Sequence, residues 1–179
     1  EPGQPSQPGQ LYTSNRYLLF GLLQNLDVQL VDMGRVKDDH EATVTALKQA
    51  AEQADLVIST GGVSVGEEDH VKQVVSQLGD LKLWKLAIKP GKPLAYGHIG
   101  DVPFLGLPGN PAAVLVTFCL LARPYILKLQ GAKRLVPLSF RAKANFSRPA
   151  GKREEFLRAR LVEENGDTWI EPHPNQSSG

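Results

Sequence analysis

The stretch Asp55–His70, DLVISTGGVSVGEEDH, decides the fold. Its first half, Asp55 to Ser59, is a short β-branched apolar run closed by a glycine pair, the pattern of a strand buried on both faces. Its second half, TGGVSVGEED, is a glycine-rich loop leading into HVKQVVSQLG, a helix that Gly79 closes. A buried strand, a glycine loop and a helix in succession make one arm of an α/β layer domain.

The same alternation extends upstream. Thr13 or Ser14 caps a helix over NRYLLFGLLQNL, whose leucines fall at helical spacing, and VQLVDMG (28–34) reads as a strand. A second helix starts after Asp38 and Asp39 and buries Val44, Leu47, Ala50, Ala51 and Ala54 on one face. Downstream, LKLWKLAIKPGKP alternates as a strand with Lys85, Ala87 and Lys89 on one face and Trp84, Leu86 and Ile88 on the other. PLAYGH and VPFLGL are short strands joined by a hairpin at Ile99-Gly100-Asp101, and LPGNP turns the chain into an apolar helix from about Ala112 to Leu129. Past Gly131 the texture becomes polar and alternating, in VPLSFRAKANFSR, EEFLRARLVEE and TWIEPH, which marks the start of an all-β unit. The expected division is a Pro- and Gly-rich linker at 1–12, an α/β domain at 13–131 with a mostly parallel sheet, and part of a β domain at 132–179.

Composition narrows the function. Among 179 residues, 20 Lys and Arg face 19 Asp and Glu, so no basic excess is available for general nucleic-acid binding. Any anion site must be local. One cysteine, Cys119, excludes an internal disulfide. The apolar stretch Ala112–Ala122 falls short of the ~20 residues that a membrane span needs, and no signal-type segment stands at the N-terminus. A cytoplasmic protein that engages neither membrane nor nucleic acid is expected. The lone Met33, the start at Glu1 and the stop within NQSSG read as an excerpt of a longer polypeptide.

Two turns are candidate anion sites. TGGVSVGEED, with Gly61, Gly62, Ser64 and Gly66, is either a cradle for phosphate or an ordinary strand-to-helix connection; it matches neither G-x-G-x-x-G nor the Walker pattern. In LPGNP, Pro108 and Pro111 stiffen the turn around Gly109 and Asn110, which either presents amides to a ligand or simply starts the helix. Asp38 and Asp69 are either helix caps or oxygen ligands for a divalent cation presented by one sheet edge. Lys85 and Lys89, about 13 Å apart along one strand face at about 3.3 Å per residue, could converge on a polyanion. His40, His70, His98 and His173 have no metal-ligand spacing.

DLVISTGGVSVGEEDHVK (55–72), WKLAIKPGKPLAYG (84–97) and GLPGNPAAVLVTF (106–118), with EPGQPSQPGQLYTSN (1–15) and GKREEFLRARL (151–161), closely resemble the molybdopterin molybdenumtransferase family, the bacterial MoeA proteins and the gephyrin E domain. The resemblance implies a three-layer, MogA-like molybdopterin-binding domain followed by part of the family's C-terminal β domain. It implies insertion of molybdate into adenylylated molybdopterin with Mg2+ and release of AMP, by a homodimer. Candidate partners are a molybdopterin adenylyltransferase and molybdoenzymes. By motif it implies activity-linked Asp38, Asp69, Lys85 and Lys89, with Asp38 and Asp69 at Mg2+, and a binding surface of Gly61, Gly62, Ser64, Gly66, Pro108, Gly109, Asn110 and Pro111. Ala112 and Ala113 stand where some members carry a hydroxyl residue, and the family's S-T-G-D-E-L segment is absent before Glu1. These gaps lead us to expect no turnover from the 179 residues alone. A gephyrin-like dimeric scaffold for receptor peptides and a MogA-like adenylyltransferase are the alternatives.

Overall fold

The computed structural model describes residues 13–63 and 69–177, Trp84 through its backbone only. Ser64 and Gly66 of the glycine loop, and the 1–12 linker, lie outside the described residues.

The first unit is a three-layer α/β sandwich. Helix α1 (Asn15–Leu23) and α2 (His40–Gln53) precede strand β1 (Val57–Thr60); α3 (His70–Leu78), β2 (Gly79–Lys85), β3 (Ile88–Lys89), β4 (Pro93–Ile99) and β5 (Val102–Leu107) follow. The layer is completed by α4 (Pro111–Thr117), a π-helical turn (Phe118–Ala122) and α5 (Arg123–Leu129). Four strands form one sheet in the order β1-β5-β4-β2. Side chains alternate along each strand, so the sheet feeds two cores. Ile58, Leu94, Leu105 and Leu107 pack with Leu23, Val114, Phe118 and Ile126 on one face. Val57, Ala95, Ile99 and Phe104 pack with Leu47, Ala50, Val74 and Val75 on the other. Phe104, Leu107, Val74, Val75 and Val114 are fully buried, and each such large apolar side chain stabilises the fold by roughly 1.5–3 kcal/mol.

Capping residues set the helix starts. Asp39 and Asp69 accept hydrogen bonds from the Ala42 and Lys72 amides, and Asn110 accepts from Ala113 ahead of Pro111, whose missing N–H costs nothing at a first turn. Ser14 precedes α1 without a side-chain cap.

Several expectations are corrected. The sheet is mixed: β1 and β5 are parallel, whereas β2–β4 and β4–β5 are antiparallel. The tight Gly100–Asp101 link can join only antiparallel neighbours. Residues 28–34 form no strand, because Asp32 folds back to accept the Gly34 amide at 2.9 Å and Gly34 takes φ +68°, which turns the chain. The strand through Lys85 and Lys89 is broken at Leu86–Ala87, so the two lysines do not share a strand face. Gly79 closes α3 as expected, its amide donating to the Val75 carbonyl. Glycine is required there because a Cβ would lie 2.2 Å from the His98 carbonyl oxygen. The apolar run continues beyond Ala122 as a 19-residue helical stretch, Pro111–Leu129, long and apolar enough by length and composition to cross a bilayer. Here Ala113, Val114, Thr117, Phe118, Ala122 and Ile126 fill the core beside the sheet. Its π-helical turn lies just before Pro124, whose ring would otherwise press on the carbonyl of Leu120.

The β segment holds four strands, the first two only two residues long: β6 (Lys143–Ala144), β7 (Glu154–Glu155), β8 (Ala159–Glu164) and β9 (Asp167–Pro172). The β8–β9 hairpin closes through Asn165 at φ +53° and Gly166 at φ +79°, the paired positive φ of a tight turn. Strand β7 pairs in parallel with β3, register Lys89 to Glu155, and so ties this segment to the first unit.

Candidate functional site

One edge of the sheet gathers the predicted residues. Parallel pairing puts the C-terminal ends of β1 and β5 together, Thr60 opposite Leu107. Antiparallel pairing then brings the start of β4 and the end of β2, Lys85 opposite Pro93, to the same edge. Three strand gaps separate β2 from β1, about 14 Å.

The glycine loop is pinned at three points. The Gly61 amide donates to the Leu107 carbonyl at 3.0 Å. A Cβ on Gly62, at φ +69°, would lie 2.4 Å from Val71 Cγ2. Buried Val63 occupies the space that a side chain at Gly106 would need, its Cγ1 2.3 Å from the Cβ position there. Close passage of backbone over helix and sheet is thus what the glycines permit. The second turn abuts the first: a Cβ on Gly109 would stand 3.7 Å from Gly61 Cα. Pro108 is buried, while Gly109 and Asn110 are exposed.

Asp38, Asp69, Gly61 and Gly62 line one open groove of about 1390 Å³. Asp38 is exposed, and Asp69 caps α3 with its Oδ1 3.4 Å from the Lys72 amide. Beside them Asp39 is held below the usual carboxylate range, chiefly by the Ala42 amide and then by Lys37. The rings of His40 and His70, first residues of α2 and α3, meet edge to face at 6.5 Å, and the buried His70 Nδ1 has no hydrogen-bond partner among the described residues. Among the described residues no three His, Cys, Asp or Glu side chains are grouped to hold a metal ion. Two carboxylates facing one groove still suit Mg2+, which takes one or two carboxylates and completes its shell with water and phosphate oxygens.

The lysines are placed apart. Lys85 ends β2, exposed at the shared edge. Lys89 lies beyond the break, its Nζ 2.7 Å from Glu155 Oε1. The loop between β3 and β4 is anchored by Leu86 N–H to the Lys92 carbonyl at 2.7 Å and by Gly91, φ +114°, packed on Thr117 and Ile88.

Residues that spacing alone does not reveal hold the site together. Asn15 donates through Nδ2 to the Gly109 carbonyl at 2.7 Å. Arg16 donates from both Nε and Nη2 to the Asp32 carboxylate, on the segment that leads to Asp38. Their partners lie 94 and 16 residues away, so no local pattern carries the signal.

Known proteins bring this edge into focus. Residues 3–128 match the family described as "Probable molybdopterin binding domain", and residues 141–179 match "MoeA C-terminal region (domain IV)". The chain belongs to the MoeA-type molybdopterin-binding family. A molybdopterin molybdenumtransferase of Haemophilus influenzae is 48% identical over 134 residues, covering 75% of this chain and 33% of its own length. One from Nostoc is 41% identical over 160 residues, covering 86% and 37%. The crystal structure of a molybdopterin biosynthesis MoeA protein from Pyrococcus horikoshii superposes with a TM-score of 0.73 at 30% identity, over 97% of this chain and 42% of that one. The chain spans about a third of the length of these curated relatives. Both glycine turns and the α1 tether fall within the molybdopterin-binding match, and Glu155 within the MoeA C-terminal match.

Proposed function

We propose that this chain supplies the molybdopterin-binding unit of a molybdopterin molybdenumtransferase, which inserts molybdate into adenylylated molybdopterin and releases AMP. One observation carries this reading: two stiff glycine turns, from β1 and β5, touch at the sheet edge that also presents two carboxylates and Lys85. Ligands of open α/β sheets sit at the carboxyl ends of strands, and an anhydride-linked pterin nucleotide offers phosphates to amides and cations alike. The names of the Haemophilus and Nostoc relatives support the same chemistry.

In this reading Gly61 and Gly62, with Ser64 and Gly66 beyond them, cradle the pterin phosphate, and Pro108 to Pro111 form the facing wall. Lys85 and Lys89 balance the charge of molybdate and the phosphoanhydride. Asp38 and Asp69 would hold Mg2+, which when bound neutralises charge at the departing phosphate. Asp69 presents its carboxylate from a capped helix start, so its geometry is set before ligand arrives. The division at 131–132, a homodimer and a cytoplasmic location belong to the same proposal, supported by the family resemblance.

The test uses the natural gene product that contains this sequence. With adenylylated molybdopterin, molybdate and Mg2+, AMP is released, and Lys89→Ala slows that release by at least about tenfold, the effect of one lost charge contact. Failure to bind adenylylated molybdopterin would overturn the functional reading. Undiminished AMP release from Lys89→Ala would overturn the site assignment.

A further inference from the structure

We infer that Asn15 is a positioning residue of the site, fixing the Gly109–Asn110 peptide against the glycine loop; the inference rests on the functional reading above. Asn15 opens α1 yet does not cap its own helix. Its Nδ2 reaches the Gly109 carbonyl at 2.7 Å across 94 residues of sequence. The residue is only 8% exposed, and its buried Oδ1 has no hydrogen-bond partner among the described residues. An unpaired buried acceptor is costly, and an apolar residue at this place would avoid that cost. The donor is therefore what the position requires.

A trans peptide is planar, with its C=O and N–H pointing opposite ways. Holding the Gly109 carbonyl toward α1 consequently aims the Asn110 amide away from α1. Without a Cβ, Gly109 sets little resistance to a flip of this peptide, so the tether to Asn15 decides its orientation. Because Gly109 lies against Gly61, the same tether sets the spacing of both turns. The neighbouring Arg16 grips Asp32 on the segment leading to Asp38. One turn of α1 thus clasps two walls of the site.

The test compares Asn15→Asp, which keeps the shape and removes the donor, with Asn15→Ala and with Ile99→Ala, a buried residue at the opposite end of β4. Titration of adenylylated molybdopterin should give a Kd at least about tenfold weaker for both Asn15 variants, the loss of roughly one oriented hydrogen bond. Ile99→Ala should lower Tm while leaving Kd within about twofold, because its cavity is remote. Amide hydrogen exchange in the ligand-free protein reads the same point independently: Gly61, bonded to the Leu107 carbonyl, should exchange faster in Asn15→Asp than in Ile99→Ala at matched stability. If the parent binds ligand and Asn15→Asp binds it equally well, the inference is wrong. Unchanged Gly61 exchange also overturns it, whether or not ligand binds. A parent that does not bind the ligand would instead sink the functional reading and leave the exchange measurement to decide the role of Asn15.

Discussion

Lys89 Nζ stands 2.7 Å from Glu155 Oε1, and the two residues are also register partners in the short parallel pairing of β3 with β7. A lysine at the candidate site is therefore held by a carboxylate from the C-terminal β segment. Arg148 shares that carboxylate through Nε at 2.9 Å. The Phe156 amide donates to the Lys89 carbonyl at 2.8 Å, and the Glu154 amide to the Ala87 carbonyl at 2.9 Å.

Glu155 should make acid stability depend on this junction. The Lys89 hydrogen bond, foremost, and the charges of Arg148, Lys89 and Arg153 hold its carboxyl below the ordinary value. A carboxyl lowered in the folded state contributes stability above its unfolded pKa of about 4.3, and loses it as pH falls through the folded value. Unfolding free energy measured against pH should therefore drop less steeply below about pH 4 in Glu155→Gln than in the parent. Superimposable profiles would contradict the assignment.

Asp69→Asn separates capping from chemistry. Asparagine caps helices as well as aspartate does, so denaturant midpoints should place the variant within about 0.5 kcal/mol of the parent. The same variant removes a charge from the groove and should abolish the Mg2+ dependence of ligand binding. Asp69→Ala should lose the cap as well, at about 1 kcal/mol.

Gly62→Ala tests the backbone of the glycine loop. The new methyl would meet Val71 Cγ2 at 2.4 Å while the residue keeps φ +69°. Strain of this kind costs about 1–3 kcal/mol, readable as a lowered unfolding free energy. Ligand affinity should fall further than stability, since the loop must shift off the Leu107 carbonyl. A variant matching the parent in both would refute the close packing.

Gly79→Ala tests the junction of α3 with the sheet. Its Cβ would fall 2.2 Å from the His98 carbonyl oxygen, a backbone atom that cannot turn aside. Fraying of the β2–β4 pairing should cost at least about 2 kcal/mol, visible as faster amide exchange along β2.

Several elements are legible in the residues alone. Asp39, Asp69 and Pro111 mark helix starts because caps act within three or four residues. The run Val57–Thr60 followed by Gly61-Gly62 signals a buried strand and a tight turn, since strand period and glycine freedom are local properties. Both glycine turns gather at one edge because the strands they follow, β1 and β5, run parallel.

Other features need the folded chain. The alternation through Lys85–Lys89 has the pattern of one strand, yet the second half pairs with β7, about 65 residues further on. VQLVDMG has a strand's pattern but turns at Gly34 as Arg16 and Gly34 share the Asp32 carboxylate. Asn15, Val63 and Glu155 give no local sign of their partners.

By itself, then, the sequence determined the helices, the helix starts at Asp39, Asp69 and Pro111, the two glycine turns and, through its motifs, the family. Those signals depend on side-chain period and on backbone freedom within a few residues. Only the tertiary structure decided the mixed sheet, the parting of Lys85 from Lys89 and the tether from Asn15 to Gly109. Each of these depends on which distant groups meet, and packing and hydrogen-bond satisfaction across the whole fold settle that.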